Sequence, residues 1–428
     1  MNMTIVSHIN GENKQRTQSR AAVAGETAPY NITFGILSAF AILMVAAGHA
    51  GYDILTVGGL FPYYSFHVPL FMFISGYFYR REEEERPFLY LKKKGKRLLL
   101  PYFVWNAVYG LIAWSLRTFG GFSMGDPISL KSLFLDPFLH GYQFIYNFAA
   151  WFVPSLFLIE VMNLCMRLVL KKLRLDREWL ILLGTLFVGM AVVQLSVGGH
   201  VWGWYKLPGR ILFLYPCFQM GRFYREKLES RDTLGNVPYF GVVIGVQVLL
   251  HLCCNGLAYS SVWCTGFANG PVIPYMTVVS GIAFWLRVAK VLTPLFEKNR
   301  NGRVSVQNTD RKTRQSPAGG FFLYLGRNTY AVMLHHIMAF MLVKMVLAGI
   351  AAHTGFLSDF DFAEFHGNID YYYLVKGSEA FRMVYLAAGI ALPLLLQKGL
   401  DILLPAAKKA FLRTDGDGNR QRDDDPVG

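Results

Sequence analysis

The sequence predicts an all-α, polytopic transmembrane bundle of ten spans with both termini on the cytoplasmic side. Three observations carry this prediction: the composition, the spacing of long apolar runs, and the confinement of basic residues to alternate connections. Of 428 residues, 53% are hydrophobic and 15% aromatic, and mean hydropathy is +0.32. This is a higher apolar share than soluble domains carry.

A helix that crosses a hydrocarbon layer of about 30 Å needs about 20 consecutive, mostly apolar residues. Runs near that length occupy positions 34–51, 61–79, 98–116, 151–170, 179–198, 211–224, 238–254, 271–286, 329–352 and 383–404. The chain carries 42 Lys and Arg against 28 Asp and Glu, a formal charge of +14. Most of these cations precede the first run or follow the second, fourth, sixth, eighth and tenth. The opposite connections hold only Arg117, Lys131, Lys206, Arg210, Lys376 and Arg382. Lys and Arg accumulate in cytoplasmic loops, so the asymmetry orients the bundle independently of hydropathy.

Because the basic residues are spread over short loops, they form no single face on which nucleic acid could lie. Their excess suits anionic lipid at the cytoplasmic leaflet of a cell membrane. The organisation expected is a polar N-terminal tail over 1–30 and a membrane domain over 31–405. A mobile cytoplasmic loop is expected over 297–320, and a cytoplasmic tail over 406–428. No cleaved signal peptide is expected, since the first apolar run lacks the flanking basic region and small-residue cleavage site. Five Cys without paired spacing argue against a zinc ribbon or a disulfide framework, and no metal-ligand spacing is present.

Ionisable side chains inside apolar spans are costly and therefore mark function by default. His49 and Asp53 stand four residues apart near the outer end of the first run, and share a face if the helix continues. His67 lies at similar depth in the antiparallel second run. Glu160 falls in the fourth run, and His335, His336 and Lys344 fall in the ninth. For Glu160, His335 and Lys344, polar bridges between helices are the simpler reading. Outer-loop aromatics, Tyr142, Trp202, Trp204, Tyr205 and Tyr371–Tyr373, suit an interfacial belt, and the acidic outer segment 355–379 is long enough to cover a site.

Five segments in order carry a resemblance to a family. They are AILMVAAGH at 41–49, FHVPLFMFISGY at 66–77, KRLLLPY at 96–102, WFV at 151–153 and GRNTYAVMLHH at 326–336. Together they resemble the acyltransferase-3 family of integral membrane O-acyltransferases, most closely the fucose 4-O-acetylase-like branch. One departure is Ser38, where the family usually has Arg eleven residues before its first-helix histidine.

The resemblance implies transfer of an acyl group, foremost acetyl, from acyl-CoA to a hydroxyl of a carbohydrate acceptor. A hydroxyl attacking a thioester needs a general base, and His49 is the expected base. Asp53 would orient its imidazole, and His67 or His336 would stabilise the oxyanion or relay the proton. The donor's phosphates call for cations at the inner face, and Arg97, Lys96, Arg80 and Arg81 are the expected contacts. Competing readings are a transporter or flippase for a glycan or lipid-linked sugar, which also uses intramembrane His, Glu and Lys, and a catalytically inactive family member.

Overall fold

The computed structural model describes residues 30–51, 53, 56, 58–141, 144–296 and 317–420, with 317, 318 and 404–420 described by their backbone alone. All ten predicted runs fall on helices. These are α1 (Ile32–His49), α2 (Tyr63–Phe78), α3 (Pro87–Gly120), α4 (Ile145–Lys172), α5 (Glu178–Val197) and α6 (Lys206–Phe223). They continue as α7 (Asn236–Cys253), α8 (Ile273–Phe296), α9 (Pro317–Arg327), α10 (Thr329–His353) and α11 (Arg382–Arg420). No strand appears among the described residues; Ser260 and Thr265 form an isolated bridge.

Eight of these helical stretches are long and apolar enough to cross a membrane. The two predicted runs outside that set, on α2 and α6, fail for physical reasons. Helix α2 has 16 residues, and α6 carries Lys206, Arg210 and Arg222. Both nevertheless lie at the centre of the bundle, packed on each other. Gly76 of α2 faces the carbonyl of Phe218, and Gly221 of α6 faces the carbonyl of Phe73, so closely that a Cβ at either position would collide with backbone. Small residues that let two backbones touch are how helices associate where water exclusion supplies no drive.

Helix α1 joins two apolar clusters. Phe34, Leu37, Ala41 and Met44 pack with α2, α6 and α8, while Ala39, Ile42, Ala46, Ala47 and Ala50 pack with α10 and α11. A helix apolar all round is an interior helix. Its start is capped by Asn31, whose Oδ1 accepts from Phe34 N at 3.1 Å. The 11-residue α9, which the hydropathy pattern left in a loop, packs along α1, with Gly326 against the carbonyl of Gly35. The expected mobile loop 297–320 is thus helical from Pro317, and its remainder lies outside the described residues, as does most of the expected tail 1–30. Helix α11 runs on to Arg420, into the expected C-terminal tail 406–428. Ala, Lys, Leu and Arg at 406–413 favour that continuation.

At the end of the bundle that carries the basic connections, several cations turn inward instead of facing solvent. Arg167 and Arg222, near the basic ends of the fourth and sixth runs, are 2% and 0% exposed. Both grip Glu178, Arg167 through Nη2 at 2.6 Å and Arg222 through Nε at 3.0 Å, and Arg81 adds Nη2 at 2.8 Å. Arg287 and Lys290 converge on Asp232 in the same way. All five cysteines are free thiols.

Candidate active site

The C-terminus of α1 sets the centre of the site. Gly51 adopts φ +70°, a left-handed turn that ends the helix just after His49. Nη1 of Arg382, at the start of α11, donates to the carbonyl of Ala50 at 3.2 Å. The helix end is therefore pinned between the left-handed turn and a cation that satisfies its orphan carbonyl.

His49 then meets His336 across the α1–α10 interface. His49 Nδ1 and His336 Nε2 are 2.7 Å apart, and the rings are nearly parallel at 10°. Proton positions follow from the partners. His336 Nδ1 lies 2.7 Å from the carbonyl of Val332, which can only accept, so that nitrogen carries the proton. Neutral His336 accordingly presents a lone pair at Nε2, and His49 Nδ1 must donate to it. The outcome is a half-buried His49 whose Nε2 lone pair has no partner among the described residues, oriented by a fully buried His336. An imidazole held by its Nδ1–H, with Nε2 open, is the arrangement a general base requires.

The other predicted residues divide. Asp53 does not reach the imidazole as expected: α1 ends before it, and its exposed Oδ1 accepts from Thr56 N at 3.1 Å. The left-handed Gly51 breaks the helical register that would have placed the two on one face. The orienting role falls instead to His336. His67 is 3% exposed and neighbours the site through Tyr63, whose hydroxyl lies against Gly48. Its Nδ1 donates to the carbonyl of Tyr63 at 2.9 Å. Neutral His67 and His336 thus spend their one N–H on backbone carbonyls, so neither has a proton left to donate to an oxyanion.

A donor that the sequence reading missed is Asn147. It sits in the 3-10 turn Ile145–Trp151 that opens α4, with non-helical φ −136° and ψ 28°. It is fully buried, and both side-chain polar atoms lack a partner among the described residues. The next residue, Phe148, packs its ring 5.0 Å from that of His49. A buried amide without partners costs free energy that a packing role does not return.

His335 is a bridge, bonded to Tyr109 Oη at 2.8 Å and edged by Trp105. Lys344 bonds the carbonyl of Ile369 and covers the ring of Tyr372, which ties α10 to the long far-end loop. Glu160 pairs with Lys94. Ser38 and Ser75 each bond a carbonyl one turn back in their own helix, at 2.7 and 2.9 Å. Among the predicted donor contacts, Arg80, Lys96 and Arg97 are exposed and have no acidic partner among the described residues, whereas Arg81 is committed to Glu178. Lys96 and Arg97 sit in a π-turn, Gly95–Leu99, and Tyr330 Oη of α10 donates to the Leu98 carbonyl at 3.0 Å. Such turns recur at functional sites. Tyr142 lies outside the described residues.

A polytopic bundle of long apolar helices, two of which meet through an interior imidazole pair, describes a multi-pass membrane protein. The acyltransferase domain family (Acyl_transf_3) matches residues 35–392, and the chain belongs to this family. It is a multi-pass membrane acyltransferase. No curated protein and no solved structure matches it.

Proposed function

We propose that this protein is an O-acyltransferase of the cell membrane, akin to the fucose 4-O-acetylase-like branch. It moves an acyl group, foremost acetyl, from acyl-CoA to a hydroxyl of a cell-surface or secreted carbohydrate. Ten spans with both termini cytoplasmic would set the basic end toward the CoA pool. The observation that carries the reading is the His49–His336 pair, with one open lone pair at the end of an interior helix.

In this reading His49 Nε2 takes the proton of the acceptor hydroxyl as its oxygen bonds to the thioester carbon. His336 Nε2 accepts from Nδ1–H throughout and stabilises the imidazolium that forms. Asn147 Nδ2 donates to the developing oxyanion, the role that the engaged N–H groups of His67 and His336 do not fill. The C–S bond then breaks, and the imidazolium returns its proton to the departing CoA sulfur. Arg80, Lys96 and Arg97, which lack acidic partners, hold the donor's phosphates.

The test is thiol release from acetyl-CoA by purified full-length protein in nanodiscs, with and without host surface glycan, in wild type and His49→Ala. Glycan-dependent release that disappears in the variant supports the reading. No release with any acyl-CoA from folded protein, across a wide range of glycans, overturns it.

A further inference from the structure

Arg210 is a cation without a counter-ion in the interior of the bundle. It lies one turn into α6 at the far end, 1% exposed. Its guanidinium is stacked between two indoles, 4.3 Å from the Trp151 ring and 4.6 Å from the Trp263 ring. Nε donates to the carbonyl of Val262 at 2.7 Å. Nη1 is buried with no partner, and no carboxylate pairs with the group among the described residues. The contrast with the other interior arginines is sharp, since Arg167, Arg222 and Arg287 each hold a carboxylate. A buried charge lacking both counter-ion and full hydrogen bonding is a large cost. A bound anion removes that cost.

Gly141 has φ +61°, and a Cβ there would stand 3.0 Å from Nη1, so only a glycine lets the backbone come this close to the unpaired edge of the guanidinium. Trp151 closes the same short turn in which Phe148 packs on His49. Arg210 and His49 therefore contact aromatic side chains of one and the same short turn. Tyr64, in electrostatic range of Arg210, has its ring 5.2 Å from that of His67. Lys206 lies 4.7 Å over the same Trp263 ring, which gives a second cation on this wall.

We infer that Arg210, held flat between Trp151 and Trp263, binds an oxyanion carried by the acceptor, a carboxylate or phosphate on a sugar near the hydroxyl that is acylated. A planar guanidinium presents two parallel N–H donors that match such a group, and the indole faces hold it in one plane. Aromatic rings beside a fixed cation also suit the apolar face and charged edge of an acidic sugar. The word acceptor rests on the function proposed above, but the anion site itself does not.

The experiment measures binding without turnover. Full-length protein in phosphatidylcholine nanodiscs is titrated with glucuronate, glucose 1-phosphate, inorganic phosphate and glucose, and intrinsic tryptophan fluorescence is read. Trp151 and Trp263 flank the guanidinium, and Trp263→Phe identifies their share of the signal. Saturable binding of at least one acidic sugar, tenfold or more tighter than glucose, is expected, and Arg210→Gln should remove that preference. Glucuronate alone assigns a carboxylate, glucose 1-phosphate alone a phosphate. Inorganic phosphate binding as tightly as glucose 1-phosphate would overturn an acceptor site in favour of a free anion. Loss of the response when phosphatidylglycerol is added would overturn it in favour of a lipid headgroup. Equal binding of glucose and the acidic sugars by wild type also overturns it, and needs no variant should Arg210→Gln fail to fold. Acidic-sugar binding together with absent thiol release would uphold the anion site and reject the acyltransferase chemistry.

Discussion

Replacing His336 with Ala removes the acceptor of the His49 Nδ1–H while leaving the proposed base in place. The 2.7 Å contact joins two interior side chains, so no water takes over readily. In the transition state His49 is an imidazolium, and a hydrogen bond from a charged donor contributes about 1.5–3 kcal/mol. At about 1.4 kcal/mol per factor of ten, kcat should fall about 10- to 150-fold. His336→Gln returns an acceptor oxygen near the Nε2 position and should recover most of that loss. The assay is acetyl-CoA thiol release at saturating acceptor, with thermal melting alongside to separate catalysis from folding. A folded His336→Ala protein with kcat within about twofold of wild type would refute the assigned orientation of the pair.

Asn147→Ala should lower kcat by about 10²- to 10³-fold with little change in KM, the pattern of an interaction made only in the transition state. Equal stability of the variant and wild type would fit a group that lacks partners in the resting protein. Glu178→Gln leaves Arg167 and Arg222 buried without their shared carboxylate and should destabilise the bundle by about 3–5 kcal/mol, read as a fall in melting temperature in detergent. Gly76→Ala or Gly221→Ala should block assembly, because the added Cβ meets backbone oxygen of the partner helix, whereas Gly184→Ala, with open space around it, should insert and fold normally; size-exclusion profiles distinguish the two. Asp53→Ala should retain thiol release within about twofold of wild type, because its carboxylate serves a local turn.

Much of this protein was legible in one dimension. Each of the ten predicted apolar runs is helical, because a segment that must satisfy its own backbone in lipid has little choice but an α-helix. The histidines at 49, 67 and 336 stood out for a related reason: an ionisable group in an apolar run is conspicuous wherever it lies. Hydropathy was less informative about α2 and α6. Their central position depends on glycines at 76 and 221 meeting each other's helix, which is a fact of pairing that no single run contains.

The roles within the site were decided only by the tertiary structure. Spacing of four residues suggested that Asp53 orients His49, but the left-handed Gly51 ends the helix between them, and the partner comes from 287 residues away on α10. Asn147 and Arg210 carry no sequence signal of function, since an Asn in a turn and an Arg at a helix start are ordinary. What distinguishes them is buried polar atoms left unpartnered among the described residues, and a missing partner is a property of every neighbour at once. The sequence by itself determined the membrane helices and singled out the proposed base. The folded arrangement decided which nitrogen is free, because proton placement depends on carbonyls and rings brought together from distant parts of the chain.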